Sequence, residues 1–228
     1  MCGRFTLTYA VAQRLARALG VSVEDLEGWE PRFNIAPTQE HFIVVLRGED
    51  RQVLPARWGL LNDWIRDPKD ATKTFNARAE TLAERPAFRA AFEQRRCVVP
   101  ADGFYEWQGH RESRRPYWFH RRDGGLLLFA GLYERWQPRG GPPAWTFTIV
   151  TTEAKGRLAE FHDRMPVILD DAAADDWMYA KTGEHRLREL IRSASGDLEA
   201  RPVSQAVNRV ENEGPSLLEP AAEQVRLF

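Results

Sequence analysis

Residues 116–136, PYWFHRRDGGLLLFAGLYERW, contain two runs of aromatic and aliphatic residues separated by a short polar segment. Runs of this composition, bounded by Gly, Pro or Asp, are typical of β-strands. The segment between them, RRDGG at 121–125, has the residue types of a tight turn. We therefore predict strands at 116–122 and 125–136 that pair as a hairpin.

The rest of the chain extends this pattern. Further strands are predicted at 41–47, 51–60, 97–108, 145–152 and 165–169. Helical spacing predicts helices at 8–20, 85–94, 154–162, 171–180 and 185–194. Gly20 is expected to end the first helix, and Asp170 or Asp171 to cap the fourth. The strands do not alternate regularly with helices, which argues against a doubly wound parallel sheet. We expect an α+β fold: a single β-rich domain over residues 1–228, with mostly antiparallel sheets and peripheral helices. Residues 213–228 are expected to form a loosely packed C-terminal extension.

Composition and charge exclude several classes of protein. The 228 residues carry a net charge of -1, so a nucleic-acid site must come from local clustering of the 32 Lys and Arg residues. Two cysteines without a Cys/His cluster predict neither a disulfide scaffold nor a metal site, and no cofactor is expected. The first twenty residues lack a signal-peptide core, and the apolar runs are too short to span a membrane. We expect a soluble, cytoplasmic monomer.

The N-terminal residues MCGRF place a cysteine directly behind the initiator methionine. If Met1 is removed, Cys2 carries a free α-amine and a thiol on adjacent carbons. Gly3 lets a ligand approach the backbone, and Arg4 places a cation beside the thiol, which favours the thiolate. The alternative is a disordered terminal tail.

The segment TFNARAET, residues 74–81, carries alternating polar side chains. In an extended segment Asn76, Arg78 and Glu80 share one face. Asn supplies a hydrogen-bond donor and an acceptor, and Arg supplies a fork that binds phosphate. The alternative is a solvated strand face or a loop.

The segment CVVPADGFYEWQ, residues 97–108, places Glu106 among aromatic residues. Such surroundings disfavour the ionised carboxylate and raise its pKa towards a range useful for proton transfer. Trp107 is suited to stacking on a base or sugar. The alternative is an edge strand with Glu106 in water and Trp107 in the core. Cys97, next to two valines, is expected to be a buried small hydrophobe.

The segment FHDRMPVIL, residues 161–169, places His162 between a predicted helix and a predicted strand, flanked by Asp163 and Arg164. An imidazole titrates at about pH 6.5 and is the usual proton shuttle, although a lone His more often has a structural role. Cys2, Glu106 and His162 are not by themselves a motif, because the sequence does not show that they meet.

Taken together, these segments resemble a known family. MCGRF, NIAPT, RWGL, FNARAET, CVVPADGFYEW, FAGLYE, FTIVTTEA, HDRMPVIL and VSQAVNRV occur in the order seen in the SOS response-associated peptidase (SRAP) family, from residue 2 to about residue 212. The resemblance implies a compact β-rich fold with a positively charged DNA channel. It also implies a protein that loses Met1, binds single-stranded DNA and crosslinks covalently to abasic sites.

The resemblance also implies roles for particular residues. Cys2 matches the crosslinking nucleophile, and the other catalytic positions match Asn76, Glu106 and His162. Pro37 and Trp64 lie near family positions that wedge against bases at a single-strand to duplex junction. The DNA-binding set is Gly3, Arg4, Pro37, Trp64, Arg78, Arg85, Trp107 and Arg164.

The implied reaction explains the position of Cys2. Its α-amine forms a Schiff base with the open-chain aldehyde, and its thiol then closes a thiazolidine that shields the lesion from strand cleavage. Self-catalysed removal of Met1 and removal by an aminopeptidase both remain open. Two other classes remain as alternatives: a cysteine peptidase acting on other proteins, and a non-catalytic single-strand-binding module. The expected partner is single-stranded DNA containing abasic sites, with a nucleoid location when bound.

Overall fold

The computed structural model describes residues 2–109, 114–138, 140–193 and 197–221. Within these ranges, thirteen strands form two mostly antiparallel sheets and four α-helices pack against them, which confirms the predicted α+β class. The strands are β1 (Phe5–Leu7), β2 (Arg32–Ile35), β3 (Glu40–Arg47), β4 (Asp50–Trp58), β5 (Asn76–Arg78), β6 (Arg96–Ala101), β7 (Gly103–Gln108), β8 (Arg115–His120), β9 (Leu127–Trp136), β10 (Ala144–Glu153), β11 (Arg164–Pro166), β12 (Ile168–Leu169) and β13 (Glu199–Pro202). The helices are α1 (Ala12–Leu19), α2 (Pro86–Gln94), α3 (Asp171–Met178) and α4 (Glu184–Ser193).

The smaller sheet has the strand order β13-β8-β7-β1-β2. In the larger sheet, β10, β4, β3, β6 and β9 pair in a closed ring, because β9 pairs back with β10. Strands β5, β11 and β12 extend this ring, and only the pairs of β10 with β4 and with β5 are parallel among those described. The two sheets share one core, in which Phe5 and Phe104 of the smaller sheet contact Phe129 of the larger one.

The hairpin predicted from residues 116–136 is wrong. Strand β8 pairs with β7 and β13, whereas β9 lies in the other sheet between β6 and β10. The turn itself forms, since the Asp123 carboxylate accepts from Arg121 and from the N–H of Gly125, and Gly124 has a φ of 68°. A turn fixes the local chain reversal only; both edges of β9 are already occupied, so β8 finds its partners elsewhere.

The predicted strand 97–108 is two strands, β6 and β7, in different sheets. Asp102 is the residue between β6 and β7. Its carboxylate accepts hydrogen bonds from the Thr6 hydroxyl and from the N–H and hydroxyl of Thr8, each at 2.6 Å. Gly103 follows, and a Cβ there would lie 2.1 Å from Nε1 of Trp118, so no larger residue fits. These contacts let the chain pass between the sheets.

Four of the five predicted helices form. Gly20 ends α1 in the left-handed conformation with a φ of 65°, and Asp170 caps α3 by accepting from the Ala173 N–H at 2.7 Å. The helix predicted at 154–162 is wrong: only a 3₁₀ turn, Gly156–Glu160, forms there. Gly156 has a φ of 56°, which is incompatible with a helix interior. No helix within the described ranges is long and apolar enough to cross a membrane.

The described part of the predicted C-terminal extension is anchored rather than loose. Leu217 is 2% exposed, and Val203 forms a β-bridge with Pro220. The Glu213 carboxylate accepts from the Arg32 side chain at 3.0 Å and from the N–H of Phe33 at 2.8 Å, so it covers the outer edge of β2. Residues 222–228 lie outside the described ranges.

Candidate functional site

Cys2 lies on the segment that leads into β1, and it is fully buried. A loose tail is therefore excluded from Cys2 onwards. Burial raises the pKa of the thiol well above its usual range, and the nearby Glu106 carboxylate raises it further. The expected thiolate beside Arg4 is therefore wrong for this state, and the thiol is protonated.

The Arg4 side chain is held by partners other than the thiol. Its guanidinium donates to Oδ1 of Asn34 at 2.7 Å and to the carbonyl of Val207 at 2.8 Å, and it lies 5.9 Å from the ring centroid of Trp107. Nε1 of Trp107 in turn donates to Oδ1 of Asn208 at 2.7 Å. The C-terminal segment thus orients two predicted DNA-binding side chains, both of them half-buried.

Asn76 connects the two sheets at the site. It begins β5, which runs parallel to β10 with Asn76 opposite Ile149. Its Nδ2 donates to the carbonyl of Cys2 at 2.7 Å, whereas its Oδ1 is buried without a hydrogen-bond partner. A buried acceptor without a donor is costly, so this oxygen is suited to accept from a ligand hydroxyl or amine.

Glu106 lies on β7 and is 4% exposed, which excludes the alternative of a carboxylate in water. The antiparallel pairing of β1 with β7, with Phe5 opposite Phe104, brings the chain before β1 alongside Glu106. Burial raises the pKa of Glu106, the direction expected from the sequence. A carboxyl group of this kind holds a proton at higher pH than an exposed one and can exchange it with a neighbour.

His162 lies between the 3₁₀ turn and β11. Nδ1 accepts from the N–H of Arg164 at 2.9 Å and also lies 2.7 Å from Oδ1 of Asp163. One ring nitrogen cannot serve both partners at once. The neutral ring accepts from Arg164, and the protonated ring donates to Asp163. Burial lowers the pKa of His162, although Asp163 opposes this, so the neutral form with Nε2–H prevails at neutral pH.

The imidazole and the Glu106 carboxyl belong to one neighbourhood. Phe161 packs edge-on against Tyr117 with ring centroids 4.8 Å apart, and Tyr117 lies directly opposite Glu106 in the β7–β8 pair. The charge of the exposed Arg114 opposes the rise that burial causes in the pKa of Glu106, and it adds to the lowering that burial causes in the pKa of His162. The structure thus groups the four predicted catalytic residues around the end of β1.

Arg164, a predicted DNA-binding residue, forms an ion pair within the protein. Its guanidinium binds both oxygens of Glu80 at 2.8 Å and also donates to the carbonyl of Thr151 at 2.6 Å. This pair lowers the pKa of Glu80 and ties the turn after β5 to the start of β11. Glu80 lies beyond β5 in the 3₁₀ turn Ala79–Thr81, so only Asn76 and Arg78 share the strand.

Five other predicted DNA-binding residues reach the surface. Arg78 and Arg85 are exposed, and Arg85 precedes α2 with its guanidinium 5.6 Å from the Phe88 ring centroid. Trp64 is 61% exposed, in a loop whose Ile65 carbonyl accepts from Nε1 of Trp136 at 2.8 Å. Pro37 lies in the turn after β2 and, like Gly3, is half-exposed.

A comparison of the whole sequence with family models identifies the group to which the chain belongs. The model described as SOS response associated peptidase (SRAP) matches residues 1–210. The chain is a member of the SRAP family. A solved structure of a Bacteroides thetaiotaomicron protein, 24% identical, matches this SRAP fold with a TM-score of 0.82 and covers 96% of this chain and 100% of that one.

Curated relatives of this SRAP protein extend over most of its length. Abasic site processing protein YoqW of Bacillus subtilis (strain 168) is 38% identical over 96% of this chain and 99% of its own. Abasic site processing protein YedK of Escherichia coli (strain K12) is 32% identical over 96% and 100%. Abasic site processing protein HMCES of Gallus gallus is 31% identical over 96% and 78%.

Sequence reasoning missed several residues of this SRAP site. Asn34 is fully buried and holds Arg4, and nothing in its local sequence distinguishes it from a turn asparagine. Nothing in the sequence distinguishes Arg114 from the other arginines, because its electrostatic effect on Glu106 depends on the register in which β7 and β8 pair. Within the described ranges, no cluster of three His, Cys, Asp or Glu side chains is arranged to hold a metal ion.

Proposed function

We propose that this SRAP protein processes abasic sites in single-stranded DNA by forming a covalent crosslink through Cys2. The observation that carries the proposal is the placement of Cys2, buried beside Glu106 and held at its carbonyl by Asn76. The relatives are abasic site processing proteins by name, which points in the same direction.

Removal of Met1 is the required first step, because it frees the α-amine of Cys2 from a peptide bond. An unperturbed α-amine has a pKa of about 7.7–8.0, well below that of a lysine side chain, which makes it the more suitable nucleophile near neutral pH. Both self-catalysed removal by Cys2 and removal by an aminopeptidase fit the proposal.

The sugar must then open. An abasic deoxyribose is mostly a cyclic hemiacetal, and opening moves a proton from the C1′ hydroxyl to the ring oxygen. We assign this transfer to His162, whose Nε2 is the ring nitrogen left over when Nδ1 is engaged by Arg164 or Asp163. Oδ1 of Asn76 accepts from a sugar hydroxyl.

Two bond-forming steps follow. The α-amine of Cys2 adds to the aldehyde, and loss of one water gives the Schiff base; Glu106, with its raised pKa, donates the proton that lets water leave. The thiol S–H then adds across the C=N bond, sulfur to carbon and hydrogen to nitrogen, and closes a five-membered thiazolidine. Because both nucleophiles belong to one residue, the second step is intramolecular and fast.

The DNA strand is held mainly by arginine side chains. Arg78 and Arg85 are exposed, and Arg4, Trp107 and Arg164 are held near the site by contacts within the protein. We assign phosphate binding to the exposed pair first, since Arg164 must exchange Glu80 for a phosphate before it binds one. Trp64 and Pro37 are proposed to contact bases.

A thiol-only cysteine peptidase is the second candidate. Such an enzyme needs a thiolate, but burial raises the pKa of Cys2, and its Sγ lies 4.0 Å from the carbonyl of Arg4. The observations therefore favour the aminothiol reaction.

The test is crosslinking to a single-stranded oligonucleotide with one abasic site, resolved on a denaturing gel. Three proteins are compared: the unaltered chain, Cys2→Ala, and a chain whose N-terminus is blocked by an uncleaved extension. We expect a gel-stable adduct only with the unaltered chain. An adduct that persists with the blocked N-terminus would refute the aminothiol mechanism, and cleavage of peptides by that protein would support the peptidase.

A further inference from the structure

The turn that joins β2 to β3 carries backbone strain. The N–H of Gln39 donates to the carbonyl of Ala36 at 3.2 Å and closes a turn with Pro37 second and Thr38 third. Thr38 has a φ of 74° and is the only non-glycine residue with a positive φ in the described part of the chain. The third position of such a type II turn favours Gly or Asn, and a β-branched residue there is strained.

The fold does not use the side chain that causes this strain. Thr38 is half-exposed, and its hydroxyl makes no hydrogen bond to any described residue. Strained residues of this kind cluster where a side chain or backbone serves a ligand. The side chain of Thr38 is therefore a candidate for contact with something outside the protein.

The turn lies at the mouth of the site. Strands β1 and β2 are antiparallel with Phe5 opposite Ile35, so the chain leaves β2 at the same end of the sheet where Cys2 enters β1. The N–H of Thr38 donates to the carbonyl of Trp58 at 2.8 Å. Nε1 of Trp58 donates at 2.7 Å to the carbonyl of Phe75, the residue before Asn76.

The turn presents few donors to a ligand. Pro37 has no N–H, and the N–H groups of Ala36, Thr38 and Gln39 all donate within the protein. The Thr38 hydroxyl is thus the donor that the tip of the turn offers. A hydroxyl donor beside the half-exposed ring of Pro37 is suited to bind a backbone phosphate oxygen of a strand whose base lies against that ring.

We propose that the Thr38 hydroxyl donates a hydrogen bond to a backbone phosphate of the DNA strand that enters the site. This inference rests on the proposed function, because it takes single-stranded DNA as the ligand. The contact is uncharged, so it adds affinity without releasing a counterion. It therefore differs measurably from the arginine contacts.

The experiment measures non-covalent binding of a fluorescent single strand without an abasic site, at several salt concentrations. Thr38→Val keeps the β-branched shape and removes the hydroxyl, and Thr38→Ser keeps the hydroxyl. Thr182→Val, at a corner between α3 and α4, controls for the loss of a threonine hydroxyl elsewhere. We expect Thr38→Val to weaken binding about tenfold at every salt concentration, equivalent to about 1.4 kcal/mol, with an unchanged salt slope. Thr38→Ser and Thr182→Val are expected to bind as the unaltered chain does.

Thr38→Gly adds a second readout. It relieves the strain, so we expect a higher melting temperature together with the same loss of binding as Thr38→Val. Equal binding by Thr38→Val and the unaltered chain overturns the phosphate contact while leaving the proposed function intact. Failure of the unaltered chain to bind single-stranded DNA overturns the proposed function and this inference with it.

Discussion

Replacement of Asn34 by Ala tests how the C-terminal segment supports the site. Asn34 is fully buried; its Nδ2 donates to the carbonyls of Arg209 and Asn212, each at 2.9 Å, and its Oδ1 accepts from Arg4 at 2.7 Å. A neutral hydrogen bond contributes about 1 kcal/mol and one to a charged group about 1.5–3 kcal/mol. We therefore expect Asn34→Ala to lower the free energy of unfolding by about 4 kcal/mol.

The measurement is urea denaturation followed by tryptophan fluorescence, with Asn62→Ala as the matched control. Asn62 is also a buried amide, but its side chain makes a single hydrogen bond to the described residues, to the carbonyl of Ala87 at 3.2 Å, so its loss is expected to cost only about 1 kcal/mol. Asn34→Ala should also weaken DNA binding, because Arg4 and Trp107 depend on the same segment. A destabilisation no larger than that of Asn62→Ala would refute the reasoning.

Three further predictions concern charge. Arg78→Ala should weaken binding to single-stranded DNA of any sequence and reduce the magnitude of the slope of log affinity against log salt concentration by about one. An unchanged slope in a salt titration would show that Arg78 does not contact a phosphate. Burial lowers the pKa of His41 to about 3, so neutral His41 stabilises the fold fully above about pH 6.5, and the free energy of unfolding falls as the pH drops from 6.5 towards 3. Denaturation at pH 7.5 and pH 5 should therefore show a smaller fall in the free energy of unfolding for His41→Phe than for the unaltered chain. An equal fall in both proteins would contradict the assignment to His41. Burial raises the pKa of Glu106, so the stabilising contribution of its protonated form is complete below about pH 4.5 and is lost as the pH rises through the folded-state pKa. Glu106→Gln should therefore raise the melting temperature at pH 7 and abolish rapid crosslinking. A lower melting temperature for Glu106→Gln would contradict a raised pKa of Glu106.

Local signals in the sequence predict much of the fold. Runs that contain β-branched and aromatic residues and are bounded by Gly, Pro or Asp predict β3, β4, β9 and β10, and Gly20 and Asp170 mark helix ends by their own backbone and side-chain preferences. Strands of three or four residues, such as β1 and β5, are too short to show a period. The pairing of strands across the two sheets depends on which edges are already occupied, which explains the wrong hairpin after His120.

The site was predictable in part. The resemblance to the SRAP family indicated Cys2, Asn76, Glu106 and His162, and the structure groups them around the end of β1. The partners of these residues were not predictable, because they come from distant segments: Glu80 holds Arg164, and Val207 holds Arg4. The protonated thiol likewise follows from burial, which the residues next to Cys2 do not reveal.

The most direct test of the central claim is the intact mass of the protein before and after incubation with a single-stranded oligonucleotide that carries one abasic site. We expect a protein that lacks Met1, followed by a denaturant-stable species whose mass is that of protein plus oligonucleotide minus one water. A protein with Cys2 at its N-terminus that forms no such species would contradict crosslinking through Cys2.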